Sequence, residues 1–252
     1  MGENSSTVVL GSATLRLSGR LIARGEVRSY LSSQYLWAAN HFSGLTLQIE
    51  EAQSVIPRFD VEHRAYSIGA VQSAVAFLEA AINELFLDAV DGHASYTSAL
   101  EEKHVKALAG AWNDNTDRKS ILKKYNLACR LSEVPPFDLG EDPAKSVGLL
   151  IHLRNALVHY KPGKSSSKPI AELTASLKEK FSENTLMYYP KDAPTEKAGK
   201  PLNKFFPDRC LGAGCTNWAV DSSHQFATEF FDRIGVTPNF MRVDFQIPER
   251  GR

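Results

Sequence analysis

Cysteine is scarce in this 252-residue chain. Its three cysteines, Cys129, Cys210 and Cys215, are too few and odd in number for a disulfide framework, so a reducing compartment is expected. Net charge is missing as well: 29 Lys and Arg balance 29 Asp and Glu. That balance argues against a protein that coats nucleic acid non-specifically, and it leaves room for a local basic cleft. No uninterrupted apolar run reaches the roughly 18 residues of a membrane span. The opening MGENSSTVVLGSA has no basic segment ahead of its short apolar stretch, as a secretory signal would. These absences lead to the expectation of a cytoplasmic protein with no membrane partner. A Gly-rich phosphate loop, a Gly-x-Ser-x-Gly elbow and a His-Glu-x-x-His metal motif are also lacking. The stretch CLGAGC (Cys210 to Cys215) has no second cysteine pair and only His224 nearby. Four zinc ligands are therefore hard to assemble, and the thiols read as structural or inert. Neither a metal nor a cofactor is expected.

What the chain does have is helical patterning. Hydrophobic residues make up 43% and charged residues 23%, enough for one large domain or two small ones with a proper core. Residues 1–32 are rich in Val, Leu and Thr and read as an arm or a short hairpin. From Ser33 to Ala52, Tyr35, Leu36, Ala39, Phe42 and Leu45 recur at helical spacing. Val61 to Val90 is the longest helical signal, with Val71, Val75, Leu78, Ile82 and Leu85 on one stripe, Ala74 and Ala81 beside it, and Asp91-Gly92 as its stop. Further helices are predicted over Thr116 to Leu131, from Asp142-Pro143 to about Tyr160, over SKPIAELTASLKEKF, and from Ser222 as cap to Gly235 as stop. The expected architecture is all-α: a helical bundle over 33–182 and an irregular C-terminal extension, 183–252, holding one helix. His41, His63, His93 and His104 read as isolated surface or cap residues. The stretch KEKFSENTLMYYPKDAPTEKAGKPLNKFF mixes Lys with Tyr and Phe. It reads as an irregular solvated loop or as a surface that touches RNA by charge and stacking.

The helix LLIHLRNALVHYKPG holds the candidate site residues. At about 100° per residue, Leu150, Leu153 and Leu157 form its core stripe, while Asn155, His159 and His152 share a narrow opposite face with Arg154 at its edge. Such a face is an ordinary solvated surface or a site. His and Asn are mediocre helix formers. A guanidinium that keeps its charge, next to imidazoles that titrate near neutrality, suits phosphate chemistry. On the long helix, Glu79 and Asn83 lie on one stripe with Gln72. They are either an exposed face or the lining of a cleft beside Arg154 and His159.

Arg154-Asn155-Ala156-Leu157-Val158-His159 matches the Arg-x(4 to 6)-His signature of HEPN domains. SAVAFLEAAINELF resembles the long first helix of several HEPN groups, and ILKKYNLACRL with its Pro-rich sequel resembles the segment before the motif helix. The resemblance covers about residues 61–162. It implies a HEPN-like bundle that dimerises with its two Arg/His motifs facing each other, and in many members metal-independent RNA cleavage. Arg154, His159 and Asn155 would then be catalytic, with Glu79, Asn83, His152, Tyr160 and Lys161 in support. RNA and a second copy of the chain are the expected partners, alongside an antitoxin, nucleotidyltransferase or ATPase. HEPN toxins paired with nucleotidyltransferases extend the motif to His-x-Tyr. Here Tyr160 directly follows His159, and Lys161 stands where the family has its Tyr. The alternative is a non-catalytic HEPN module that dimerises or binds a nucleotide within a defence or stress complex.

Overall fold

The computed structural model describes residues 7–10, 13–16, 28–52, 59–161, 168–184 and 204–242. Two units are distinguished, Met1–Tyr30 and Leu31–Arg252. In the first, β1 (Thr7–Leu10) and β2 (Ala13–Arg16) form an antiparallel hairpin with Leu10 opposite Ala13. The second, by far the larger, is built of helices and their connecting loops, with no strand among its described residues, so the fold is all-α.

Its centre is α2 (Val61–Asp91). Asp60 caps this helix, accepting a hydrogen bond from the His63 backbone N–H at 2.9 Å. Gly92 ends it with a φ of 66°, a left-handed conformation that glycine adopts without steric cost. Every residue of the expected stripe, Val71, Val75, Leu78, Ile82 and Leu85, is wholly buried, as are Ala74 and Ala81. Each large apolar side chain so buried contributes about 1.5–3 kcal/mol. By length and composition alone α2 would qualify to cross a membrane. Its apolar surface is instead turned onto the other helices of the unit.

Against α2 stand α1 (Ser32–Ala52), α3 (Ala94–Thr97), α4 (Glu102–Asn113), α5 (Ile121–Leu131), α6 (Ala144–Val158) and α8 (Ala213–Arg233), while α7 (Lys168–Lys178) lies on α6 and α9 (Asn239–Arg242) on α1. α1 and α8 both lie along α2 and against each other. α1 comes close to α2 where Phe42 covers Gly69; a Cβ on that glycine would sit 3.0 Å from the Phe42 ring. α4 carries Trp112, which stacks on Phe86 of α2 at 5.6 Å between ring centroids. The sequence pattern assigned no helix there.

Three expectations need correction. The last long helix begins at Ala213, so Ser222 lies inside it, buried, instead of capping it. Gly235 does follow its end, with a φ of 71°. The C-terminal part is also no irregular appendage: Phe226, Ala227, Phe230 and Phe231 of α8 are wholly buried and make up much of the core. Tyr125 meets Phe226 and Phe230 edge to face, and Tyr96 meets Phe231. Finally, His63 is not a surface residue. It is fully buried, and its Nε2 lies 2.7 Å from Glu50 Oε1. The same carboxylate oxygen accepts from Asn184 Nδ2 and from the Ala213 N–H, each at 2.8 Å. Glu50 of α1 thus satisfies the first turn of α8, where a negative charge also meets the helix dipole favourably. Most of the Tyr/Lys stretch expected to be an irregular loop, and the Pro162-Gly163 stop, lie outside the described residues.

Candidate functional site

α6 starts where a carboxylate can hold it. Asp142 Oδ1 accepts from the Ser146 N–H at 3.0 Å and from its hydroxyl at 2.6 Å, while Lys180 Nζ reaches Oδ2 at 3.0 Å. These bonds keep the Asp142 carboxyl below the usual carboxylate range, the Ser146 hydroxyl contributing most. The helix opens at Ala144, one residue later than Pro143 was expected to open it. The loop before α6 is fixed from two sides. Asn126 of α5 exchanges two hydrogen bonds with the Phe137 backbone, and Arg233 of α8 lies over the Phe137 ring and donates to the Pro135 carbonyl.

Leu150 and Leu153 are wholly buried, as are Val147 and, almost completely, Ala144; Leu157 is half-buried. That side anchors α6 on α2 and α8. His152 and Asn155 face outward and are exposed, and Arg154 is half-buried at the edge. The helix closes at Val158, two residues before the expected end, with His159 as its C-terminal cap and the His159 N–H bonded to the Asn155 carbonyl at 2.9 Å. His159, Tyr160 and Lys161 are exposed, and the Tyr160 ring lies 6.2 Å from that of Phe206. Phe206 belongs to the turn Phe205–Arg209 that leads into α8. Among the described residues, the side chains of His152, Arg154, Asn155 and His159 make no hydrogen bond and no ion pair. A guanidinium, a carboxamide and two imidazoles therefore stand on one short stretch with their polar atoms available to a ligand.

Glu79 and Asn83 are placed differently. Both converge on Lys124 of α5. Its ammonium donates to Asn83 Oδ1 at 2.8 Å and lies 4.0 Å from Glu79 Oε1. It also sits 5.7 Å from the centre of the Trp112 ring. The Lys124 side chain is 1% exposed, whereas Glu79 is 46% exposed. Burial pulls the Lys124 amine below its ordinary value, with Glu79 and then Asp117 working against that pull. The sequence reading passed over Lys124, although a signal was present. Ile121, Tyr125 and Ala128 mark the inner stripe of α5, and position 124, three residues after Ile121, falls on it.

All three cysteines are free and buried, and burial pushes Cys129 up to about 11 and Cys210 up to about 12. Among the described residues no group of three or more His, Cys, Asp or Glu side chains could hold a metal ion. No family model matches the sequence, and neither a curated protein nor a solved structure matches the chain.

Proposed function

We propose that this chain is a HEPN-type endoribonuclease, a toxin or defence effector acting in the cytoplasm, with α6 as its catalytic element. The observation that carries the reading is the set of polar side chains on and just after α6 that make no hydrogen bond or ion pair among the described residues: Arg154, Asn155, His152 and His159, held by a helix whose other side is locked into the core. A surface helix with no ligand to meet ordinarily carries Glu, Lys and Gln in these places.

RNA supplies its own nucleophile, the 2′-hydroxyl, so the reaction requires no metal-bound water. His159 takes the 2′-proton, and the 2′-oxygen attacks the phosphorus. The P–O5′ bond breaks, and the leaving 5′-oxygen receives a proton from a second imidazole. A second copy of the chain supplies that group, bringing two His159 and two Arg154 residues into one cleft by a self-complementary contact. Arg154 meets the charge that builds on the phosphoryl oxygens, and Asn155 orients the phosphate or the imidazole. Tyr160, Lys161 and His152 flank the cleft and hold the RNA strand.

Purified protein incubated with RNA in EDTA is expected to yield a 2′,3′-cyclic phosphate, or the 3′-phosphate it opens to, and a 5′-hydroxyl. DNA of the same sequence should stay intact. Arg154→Ala should slow cleavage by roughly a hundred- to a thousand-fold, the cost of one preorganised donor. His159→Ala should abolish cleavage while leaving the helical spectrum unchanged. Cutting by His159→Ala at the parental rate would remove α6 from the reaction.

One observation favours a second reading. Glu79 and Asn83 are directed at Lys124, so no acid from α2 is seen orienting Arg154 or His159. A non-catalytic module that dimerises or binds a nucleotide phosphate through Arg154 needs no such orienter.

A further inference from the structure

Tyr160 stands directly after His159, and it is 49% exposed. Its hydroxyl makes no hydrogen bond among the described residues. Its ring packs on Phe206, with centroids 6.2 Å apart and planes 58° from parallel. Phe206 is itself buried. It belongs to the turn Phe205–Arg209, which is pinned from several sides. The Asn184 N–H donates to the Arg209 carbonyl and the Cys210 N–H to the Phe205 carbonyl, each at 2.8 Å. Arg64 of α2 pairs with Asp208, and Arg209 pairs with Glu183. The Tyr160 ring therefore leans on a fixed support while about half of the residue stays open.

A tyrosine held in this way is a platform: a broad flat surface with only two side-chain torsions to order. Every nucleobase has a π-face to lay on such a ring, and proteins commonly hold unpaired nucleotides by stacking of this kind. Cations for the strand stand close by. Lys161 follows Tyr160, and Lys178 of α7 lies over the Phe205 ring, 5.1 Å from its centre. Neither ammonium makes an ion pair among the described residues, so both can meet phosphates. Four Phe, Tyr and Trp side chains are exposed among the described residues: Tyr35, Trp37, Phe59 and Tyr160. The first two belong to α1, and Phe59 precedes α2. Tyr160 is the one that adjoins the α6 candidates in the chain. A phosphate held by Arg154 and His159 brings the bases of its two flanking nucleotides within reach of the residue next to His159.

Building on the ribonuclease reading above and resting on it, we infer that Tyr160 is the base-stacking residue of the α6 site. A nucleobase adjoining the cleaved phosphate lies on its open face, so that base has to be unpaired for the cut to occur.

A short unstructured RNA, with its cut site mapped for wild type in EDTA, supplies the test. Tyr160→Ala and Tyr160→Leu should lower kcat/KM roughly five- to a hundredfold, mainly through KM, the range for one lost stack. The helical spectrum should not change. Tyr160→Phe and Tyr160→Trp should cut as wild type does. Leucine still covers Phe206, so it would rescue a residue needed only for packing. An abasic ribose in place of one nucleotide flanking the cut should slow wild type by the same factor and leave Tyr160→Ala unaffected. Cutting by Tyr160→Leu at the wild-type kcat/KM overturns the inference and leaves the ribonuclease reading standing, as do equal losses from the abasic ribose in wild type and Tyr160→Ala. A wild type that cuts no RNA overturns both.

Discussion

α6 and α1 solve opposite problems on the same core. α6 puts leucines inward and leaves Asn155, His152, His159 and, at its edge, Arg154 with no side-chain hydrogen bond or ion pair among the described residues. α1 turns hydroxyls and a carboxamide inward, pairs those of Ser32, Asn40, Ser43 and Thr46, and leaves Tyr35 and Trp37 at the surface. On α6 stability and chemistry occupy different sides, so the outer residues are free to serve a ligand. On α1 the inner side is a hydrogen-bonded seam whose geometry is specific, because a buried donor or acceptor left unmatched costs about 1–3 kcal/mol. Polarity alone is therefore a poor guide to function. The useful question is whether each polar group has found its partner inside the chain.

The largest effect should come from the leucine side of α6. Leu153 is wholly buried, and Leu153→Ala should cost about 2–5 kcal/mol in denaturant unfolding, from lost burial and the cavity left behind. A cost under 1 kcal/mol would mean that α6 is only loosely seated, and the contrast with α1 would lose its basis.

The α1 seam should break next, at a point remote in sequence. Gly212 lies so close to Glu50 that a Cβ would stand 2.7 Å from Glu50 Oε1 and 2.9 Å from Asn184 Cβ. The carboxylate cannot easily swing away, since it also holds His63 and the Ala213 N–H. Gly212→Ala should therefore destabilise by about 1–3 kcal/mol, as overpacking does. Glu50→Ala combined with Gly212→Ala should show less than the sum of the two single costs, because the nearest clash disappears with the carboxylate and Asn184 loses its anchor.

Much of this was legible in the sequence, and what escaped it did so for physical reasons. α2 and α6 were readable because their apolar positions repeat at helical spacing and strong signals end them, Gly92 with its left-handed backbone and Asp142 with its bonds to Ser146. The outward placing of His152 and Asn155 followed from the same wheel. α8 was read too short because its first half, AGCTNWAVDSS, buries small and polar residues such as Thr216, Ser222 and Ser223, which give no apolar stripe. The Glu50–His63–Asn184 cluster joins residues far apart in the chain, and no local pattern announces it. Glu79 and Asn83 were rightly read as one stripe, but their partner, Lys124, comes from a different helix.

A smaller effect tests the seam at the other end of α1. Glu84 of α2 accepts from the Ser32 N–H and hydroxyl at 2.8 and 2.6 Å and from the Tyr96 hydroxyl at 3.0 Å. Burial holds its carboxyl above the ordinary value of 4.5, against the pull of the Ser32 and Tyr96 bonds. A carboxyl raised in this way keeps its proton longer when folded. Between the unfolded and folded values the folded chain binds more protons, and stability falls as pH rises. Thermal melts from pH 4 to 8 should therefore show wild type losing ground relative to Glu84→Gln as pH rises from 4.5 through the folded value. Parallel curves would mean that Glu84 titrates as if exposed.

The smallest effect is expected where the comparison is sharpest, at Arg154. If its guanidinium serves a ligand and not the fold, replacing it with a neutral group that keeps part of the aliphatic stem should leave stability nearly untouched. Arg154 makes no hydrogen bond or ion pair among the described residues, and only its half-buried stem contributes packing. Arg154→Gln should change unfolding free energy by no more than about 0.5 kcal/mol, a melting shift of roughly 1–2 °C for a chain of this size. The same variant should lose RNA cleavage, or phosphate binding under the second reading. A shift of many degrees would show that the guanidinium holds the fold together, and Arg154 would then resemble the paired groups of α1 more than a site residue.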